Sequence, residues 1–178
     1  TAISLNMQMM KTSPKAGYQE QVQKQLKRLL HLEEALLLLS RLDAGTLPMK
    51  MEAVDVFTVL TLASDNLQEM FLAAEVSVDI PDMGEIEITV DLEWTMEAFM
   101  NLLKNCAEHT PPGGTVHCSY EKNPLYTEIL IRDEGKGFAK EDIPRLFERF
   151  YRGQNAKQGG IGIGLALAKE ILEHENGS

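Results

Sequence analysis

Apolar positions follow two rhythms along this chain. Over residues 18–42 they recur with the three-four spacing of a helix, at Val22, Leu26, Leu29, Leu30, Leu36 and Leu37. The leucine run at 36–39 is apolar on every side, so that end of the helix needs more than one neighbour. Residues 1–11 carry Ile3, Leu5, Met7, Met9 and Met10 among polar positions. They read as the end of an earlier helix, which Pro14 and Gly17 in "TSPKAG" break. The pair predicts an antiparallel helical hairpin whose wide stripe two copies would bury as a four-helix bundle. Packing of the 18–42 helix onto the chain's own globular part is the alternative.

"DAGTLPMK" (43–50) is a linker, where Asp43 and Gly45 can end the helix and Pro48 prevents its return. Beyond it helical and alternating patterns take turns. Residues 56–75 predict one amphipathic helix. Residues 75–80 ("EVSVDI") and 85–90 ("EIEITV") alternate as half-buried strands, with a turn at "PDMG". A long helix is predicted over 91–109, with Asp91 as its N-cap. Residues 115–120 and 127–132 predict a hairpin. "DEGKGF", a short helix near 142–147, a loop over 150–160 and a helix over about 162–174 follow. The order predicts an α+β fold with helices on one face of a sheet, divided into a helical part over 1–45 and a sandwich over 46–178.

The net charge of −10 argues against a sequence-independent nucleic-acid binder, which needs clustered Lys and Arg. It leaves room for a nucleotide ligand, where a few local donors suffice. Two cysteines, Cys106 and Cys118, make no disulfide framework and fit a reducing compartment. No apolar run is long enough to span a membrane, and no signal peptide is visible. The chain starts mid-pattern and is expected to be a fragment of something longer.

Chemistry concentrates in three places. In "QGGIGIGLALAK" (158–169) Gly160, Gly162 and Gly164 alternate with isoleucines in front of a helix. Backbone N–H groups at a helix start favour phosphate. The spacing is neither the dinucleotide fingerprint nor a P-loop. Asn101 and Asn105, four apart, share one face of the long helix. Their amide oxygens are hard neutral ligands suited to Mg²⁺ held by phosphates. Asp133 ends a strand and is followed by Gly135 and Gly137, so its carboxylate can accept from an exocyclic amine while the glycines admit a flat ring. Each has an ordinary structural reading: a flexible turn, a satisfied asparagine pair, an acidic D-G turn. Their conjunction in fixed order carries the weight.

These segments resemble the bacterial sensor histidine kinases. "NLLKNCAEHT" is similar to the N box, "DEGKGF" to the first glycine box, "FERFYR" to the F box and "GGIGIGLALAK" to the second glycine box. "LLLLSRLDAG" resembles the end of the second dimerisation helix. The resemblance implies a helical dimerisation and phosphotransfer hairpin followed by a Bergerat-type α/β sandwich that binds Mg-ATP. By position, Asn105 would ligate Mg²⁺ with Asn101 in support. Asp133 would read the adenine amine, with Gly135 and Gly137 lining that pocket and His109 near it. Phe147 and Phe150 would anchor a lid, and Arg152 would reach the terminal phosphates. Gly160, Gly162, Gly164 and Leu165 would form the loop and helix start that meet them. The implied chemistry is in-line transfer of the γ-phosphoryl group to a histidine, for relay to a response-regulator aspartate. A homodimer, cytoplasmic placement and an inner-membrane anchor outside this chain are also implied. In gyrase-like and mismatch-repair ATPases a glutamate at the Asn101 position is the general base; an amide cannot take a proton, which favours kinase over ATPase.

The sequence departs from the pattern in places. None of the four histidines fits the phosphoacceptor motif, which would lie just before Thr1. His31 falls in the second helix, His117 in a strand and His174 near a helix end. Glu108 stands where the family commonly has a basic residue, Lys104 is on another face, and Ile161 replaces a frequent Thr or Ser. The family's final two strands would lie beyond residue 178, leaving an exposed sheet edge. A non-catalytic nucleotide-binding and dimerisation scaffold is the rival reading.

Overall fold

The computed structural model describes residues 16–153 and 161–177. The expected first helix and Gly160 lie outside them. The chain divides into two compact units, one ending at Thr46 and one beginning at Leu47.

Among the described residues the first unit holds helix α1 (Ala16–Asp43). Its C-terminal carbonyls are closed by Gly45 N–H to Leu42 and Thr46 N–H to Arg41, with Gly45 in the left-handed region that suits this cap. Leu26, Leu29, Leu30 and Leu37 of the predicted stripe are about half exposed. Leu29, Leu32, Leu36 and Leu37 line a shallow apolar groove together with Glu33.

The second unit runs β1 (Glu52–Asp55), α2 (Val56–Asp65), α3 (Gln68–Ala74), β2 (Ser77–Asp79), β3 (Glu87–Val90), α4 (Leu92–His109), β4 (Thr115–Lys122) and β5 (Thr127–Arg132). A 3₁₀ turn (Ile143–Arg145) and α5 (Gly164–His174) complete it. β4 pairs with β5 antiparallel, as the alternation predicts, and with β2 in parallel. β1 pairs with β3 antiparallel in a separate two-stranded ribbon. Helix α4 packs against both α2 and α5. The core lies between helices and strands, where Val56, Val59, Leu60 and Leu103 meet the inward residues Val116, Cys118 and Tyr120 of β4. Burying each such aliphatic side chain contributes about 1.5–3 kcal/mol.

Three expectations are corrected. The helix over 56–75 is two helices, because Asn66 turns its amide onto Leu62 O at 2.8 Å and competes with the helical ladder. The strands at 77–79 and 87–90 belong to different sheets, and "PDMG" is a connection between them. The short helix near 142–147 is a 3₁₀ turn of three residues, with Pro144 inside its first turn. An unpredicted strand, β1, precedes α2. Asp55 both caps α2 through Thr58 N–H and fixes Ile86 N–H. Desolvation pulls the Asp55 carboxyl up, and these hydrogen bonds outweigh it and leave it below its ordinary value.

The start of α4 is held by a buried carboxylate pair. Asp91 caps the helix through Glu93 and Trp94 N–H and also accepts from Lys50 N–H at 2.6 Å. Glu175 accepts from Asp91 N–H and from the Thr95 hydroxyl, each at 3.0 Å. Burial pushes the Glu175 carboxyl up from its ordinary value of 4.5, with the Asp91 charge adding to it against those hydrogen bonds. The folded chain therefore holds a proton on Glu175 more tightly than the unfolded chain, and this group's contribution to stability is full below about pH 4.5 and is lost as pH rises through its raised folded value. Glu175→Gln keeps an oxygen for Asp91 N–H and a donor for the Thr95 oxygen, without the charge. It is expected to raise the melting temperature at pH 7 by about 3 °C and to lose that advantage below pH 4.5, measured by thermal scans across pH.

Candidate functional site

One face of α4 organises the site. Asn101, Asn105 and His109 recur every four residues, all half-buried, over a length of about 12 Å. At its Asn101 end the helix meets the start of α5. A Cβ built on Gly164 would lie 2.8 Å from Asn101 Oδ1, so glycine lets α5 begin against that amide oxygen without displacing it. The N-cap of α5, Ile163, makes no side-chain cap. The first N–H groups of α5 therefore stand uncapped by side chains beside Asn101, with the positive end of the helix dipole behind them.

At the His109 end, the loop after β5 closes onto the helix terminus. Asp133 Oδ1 accepts Gly135 N–H at 2.7 Å. A Cβ on Gly135 would lie 2.6 Å from Asp133 Oδ1 and 2.7 Å from His109 O. The loop is thus seated on the last turn of α4 at van der Waals limits. His109 packs edge-on against Phe138, with ring centroids 5.3 Å apart. Glu134 ties the same loop to β4, accepting Thr115 N–H at 3.1 Å and facing His117 at 3.3 Å. The hydrogen bond from Thr115 and that with His117 hold its carboxyl below the ordinary range. Burial, with Asp133 next in effect, pushes the Cys106 thiol up to about 12.

The segment 147–153 lies against Gly162. Phe150 donates its N–H to Gly162 O at 2.7 Å, and both residues have positive φ, +66° and +79°. A Cβ on Gly162 would overlap Tyr151 O. Tyr151 is anchored by its hydroxyl to the buried Asp142 at 2.6 Å, with Arg145 stacked 4.1 Å over its ring. That hydrogen bond pushes the Tyr151 phenol up. Arg149 pairs with Glu170 of α5 at 2.9 Å. Phe147 and Phe150 are about half exposed. Arg152 is exposed beside Gly162.

A profile of the histidine kinase-, DNA gyrase B- and HSP90-like ATPases matches residues 90–178, the stretch holding α4, the Asp133 loop and the Gly162 segment. The chain belongs to this ATPase family. Membership implies ATP as the nucleotide. Within the family, the chain is similar to the swarming motility regulation sensor protein RssA of Serratia marcescens. The two are 31% identical over 153 residues, covering 85% of this chain and 33% of that protein. The chain thus spans about a third of that relative's length. Histidine kinase AdeS of Acinetobacter baumannii shares the fold with a TM-score of 0.79 at 21% identity, over 97% of this chain and 82% of that one. The solved structure of full-length ShkA in complex with AMPPNP aligns with a TM-score of 0.71 at 18% identity. It covers 97% of this chain and 37% of the other. This is the mixed helix-and-sheet ATPase architecture expected from the sequence.

In this ATPase domain the sequence-predicted residues fall into three local groups: Asn101 with Gly164, Asp133 with Gly135 and His109, and Gly162 with Phe150 and Arg152. Asn105 lies between the first two on α4. Gly137 has φ +71° and Leu165 is half-buried in the first turn of α5. Glu108 is half-buried and Lys104 exposed on α4. Sequence reading passed over Glu97, Phe138, Asp142 and Tyr151. The first was findable, because it stands four residues before Asn101 on a helix. The Asp142–Tyr151 contact joins residues nine apart through a 3₁₀ turn, which no periodicity announces.

Among the described residues no helix is long and apolar enough to cross a membrane, and no group of three acidic, His or Cys side chains could cage a metal. Asn101 and Asn105 offer neutral amide oxygens on one face of α4. These fit an ion that keeps most of its ligands from phosphates and water, as Mg²⁺ does.

Proposed function

We propose that this chain is the ATP-binding kinase core of a two-component sensor histidine kinase. It binds Mg-ATP and supports transfer of the γ-phosphoryl group to a histidine outside this chain, for relay to a receiver-domain aspartate. The observation that carries the reading is the α4 face. Its Asn101 end abuts the helix start suited to phosphate, and its His109 end abuts the Asp133 loop suited to a base. Asn101 is an amide, so no carboxylate at that position activates water, which favours transfer over hydrolysis.

In this reading Asn105 contributes an oxygen ligand to Mg²⁺, which would neutralise phosphate charge. Asp133 accepts from the adenine amine, beside Gly135, Gly137 and His109. Arg152 steadies the terminal phosphates with Gly160, Gly162, Gly164 and Leu165. Phe147 and Phe150 form the base of a lid. Residues 1–45 supply a dimerisation hairpin, for which the exposed leucines of α1 are the support, and 46–178 the catalytic domain. A cytoplasmic position, with membrane attachment outside this chain, belongs to the same proposal.

Calorimetric titration with a non-hydrolysable ATP analogue, with and without Mg²⁺, tests it. Asn105→Ala is expected to cut the Mg²⁺-dependent affinity about tenfold, with the Mg²⁺-free affinity nearly unchanged. Absence of binding by the folded chain would sink the reading. Extending the chain through the upstream histidine should then yield a phosphoprotein. The scaffold alternative draws on Glu108, a half-buried carboxylate one turn beyond Asn105. It predicts analogue binding without a phosphoprotein.

A further inference from the structure

Asn101 is gripped by one end only. Its Nδ2 donates to the backbone oxygen of Glu97 at 2.9 Å and to Glu97 Oε1 at 3.1 Å. An amide nitrogen carries two protons, so both are committed inside α4. The oxygen is then the group that Asn101 presents outward, and it stands where a Cβ on Gly164 would be 2.8 Å away. An ionised carboxylate accepts and cannot donate, so the grip works in one orientation of the amide. Were the amide reversed, its oxygen would oppose Glu97 Oε1, and its N–H groups would face the N–H groups at the start of α5.

We propose that Glu97 is a positioning residue of the nucleotide site, fixing the Asn101 carboxamide so that it offers an acceptor oxygen, and no donor, to the space before α5. An acceptor there suits a cation or its water shell accompanying the phosphates, and a donor would compete with it. Glu97 is half-buried and sits one turn from Asn101, away from the α5 start itself. It acts through Asn101. The inference rests on the Mg-ATP reading above and adds to it which atom of Asn101 is in use and what selects it.

A Glu–Asn pair four apart also supports the helix in an ordinary structural way, so the test must separate the two roles. The chain is titrated with a non-hydrolysable ATP analogue at saturating Mg²⁺ and again with the metal chelated. Melting curves verify that each variant is folded. Glu97→Ala is expected to lose about fivefold in affinity with Mg²⁺ and little without it. Glu97→Gln, whose side-chain oxygen still accepts from Asn101, is expected to recover most of that loss. In an Asn101→Ala background, Glu97→Ala is expected to change the affinity no further. Equal losses with and without Mg²⁺, or a loss that persists in the Asn101→Ala background, would overturn the assignment and leave the site reading standing. A folded parent chain that binds no analogue would overturn both.

Discussion

Asp133→Asn is expected to weaken binding of an ATP analogue about 100-fold, close to 2.7 kcal/mol, while leaving the fold intact. The structure explains why so small a change should matter. Asp133 Oδ1 is committed to Gly135 N–H at 2.7 Å. That bond belongs to the turn seated on the end of α4, and an asparagine will keep it by placing its own oxygen there. Its NH₂ group must then occupy the position of Oδ2. A base presenting an exocyclic amine would meet a donor in place of an acceptor. The variant exchanges a charge-assisted hydrogen bond for a clash of like dipoles, at a position whose flip is blocked. Melting should shift by no more than about a degree or two, since the turn survives. Unchanged affinity in a calorimetric titration would remove Asp133 from the site.

Gly162→Ala is the second large effect. Alanine at φ +79° costs on the order of 1–2 kcal/mol. In addition its methyl would run into Tyr151 O and approach the Phe150 carbonyl carbon at 2.9 Å. Backbone atoms cannot swing aside as a side-chain tip can. The segment 149–153 is therefore expected to detach from residue 162 rather than distort. The total loss is capped by what local opening costs. The expected signature is local: protection of the Phe150 amide, now bonded to Gly162 O, falls to that of an open loop. On the kinase reading proposed above, phosphotransfer in a chain carrying the acceptor histidine is expected to fall at least about 30-fold, because misplaced groups lose the benefit of preorganisation. Hydrogen exchange resolved to single amides checks it, and retained protection at Phe150 would sink the idea.

Features with local causes were legible in the sequence. The cap at Asp91, the amphipathic run of α4, the β4–β5 hairpin and the linker after α1 each follow from a few neighbouring residues. The asparagines, Asp133 and the glycines could be singled out because such residues are costly inside a helix or common only at turns. What escaped depends on distant partners. Strand β1 has four residues with only Val54 buried, too short a run for alternation to register, and it exists through its pairing with β3. The break at Asn66 came from one side chain capturing one carbonyl within an otherwise apolar helix. β2 looked like the partner of β3, yet it pairs with β4 across the whole of α4. The grip of Glu97 on Asn101 had a visible spacing and no visible consequence until Gly164 was placed beside the amide oxygen.

That parallel β2–β4 pairing also governs how the domain comes into being. Ser77 meets Thr115 only after β3 and α4 have been made, so this ladder is a late, non-local closure and is expected to form slowly. On the ribosome α4 emerges before both the Asp133 loop and the Gly164 helix start that complete its two ends. On the Mg-ATP reading, nucleotide is therefore expected to give the nascent chain no help until α5 has joined α4. Added nucleotide is then expected to slow unfolding of the finished domain and to leave the rate of its folding unchanged.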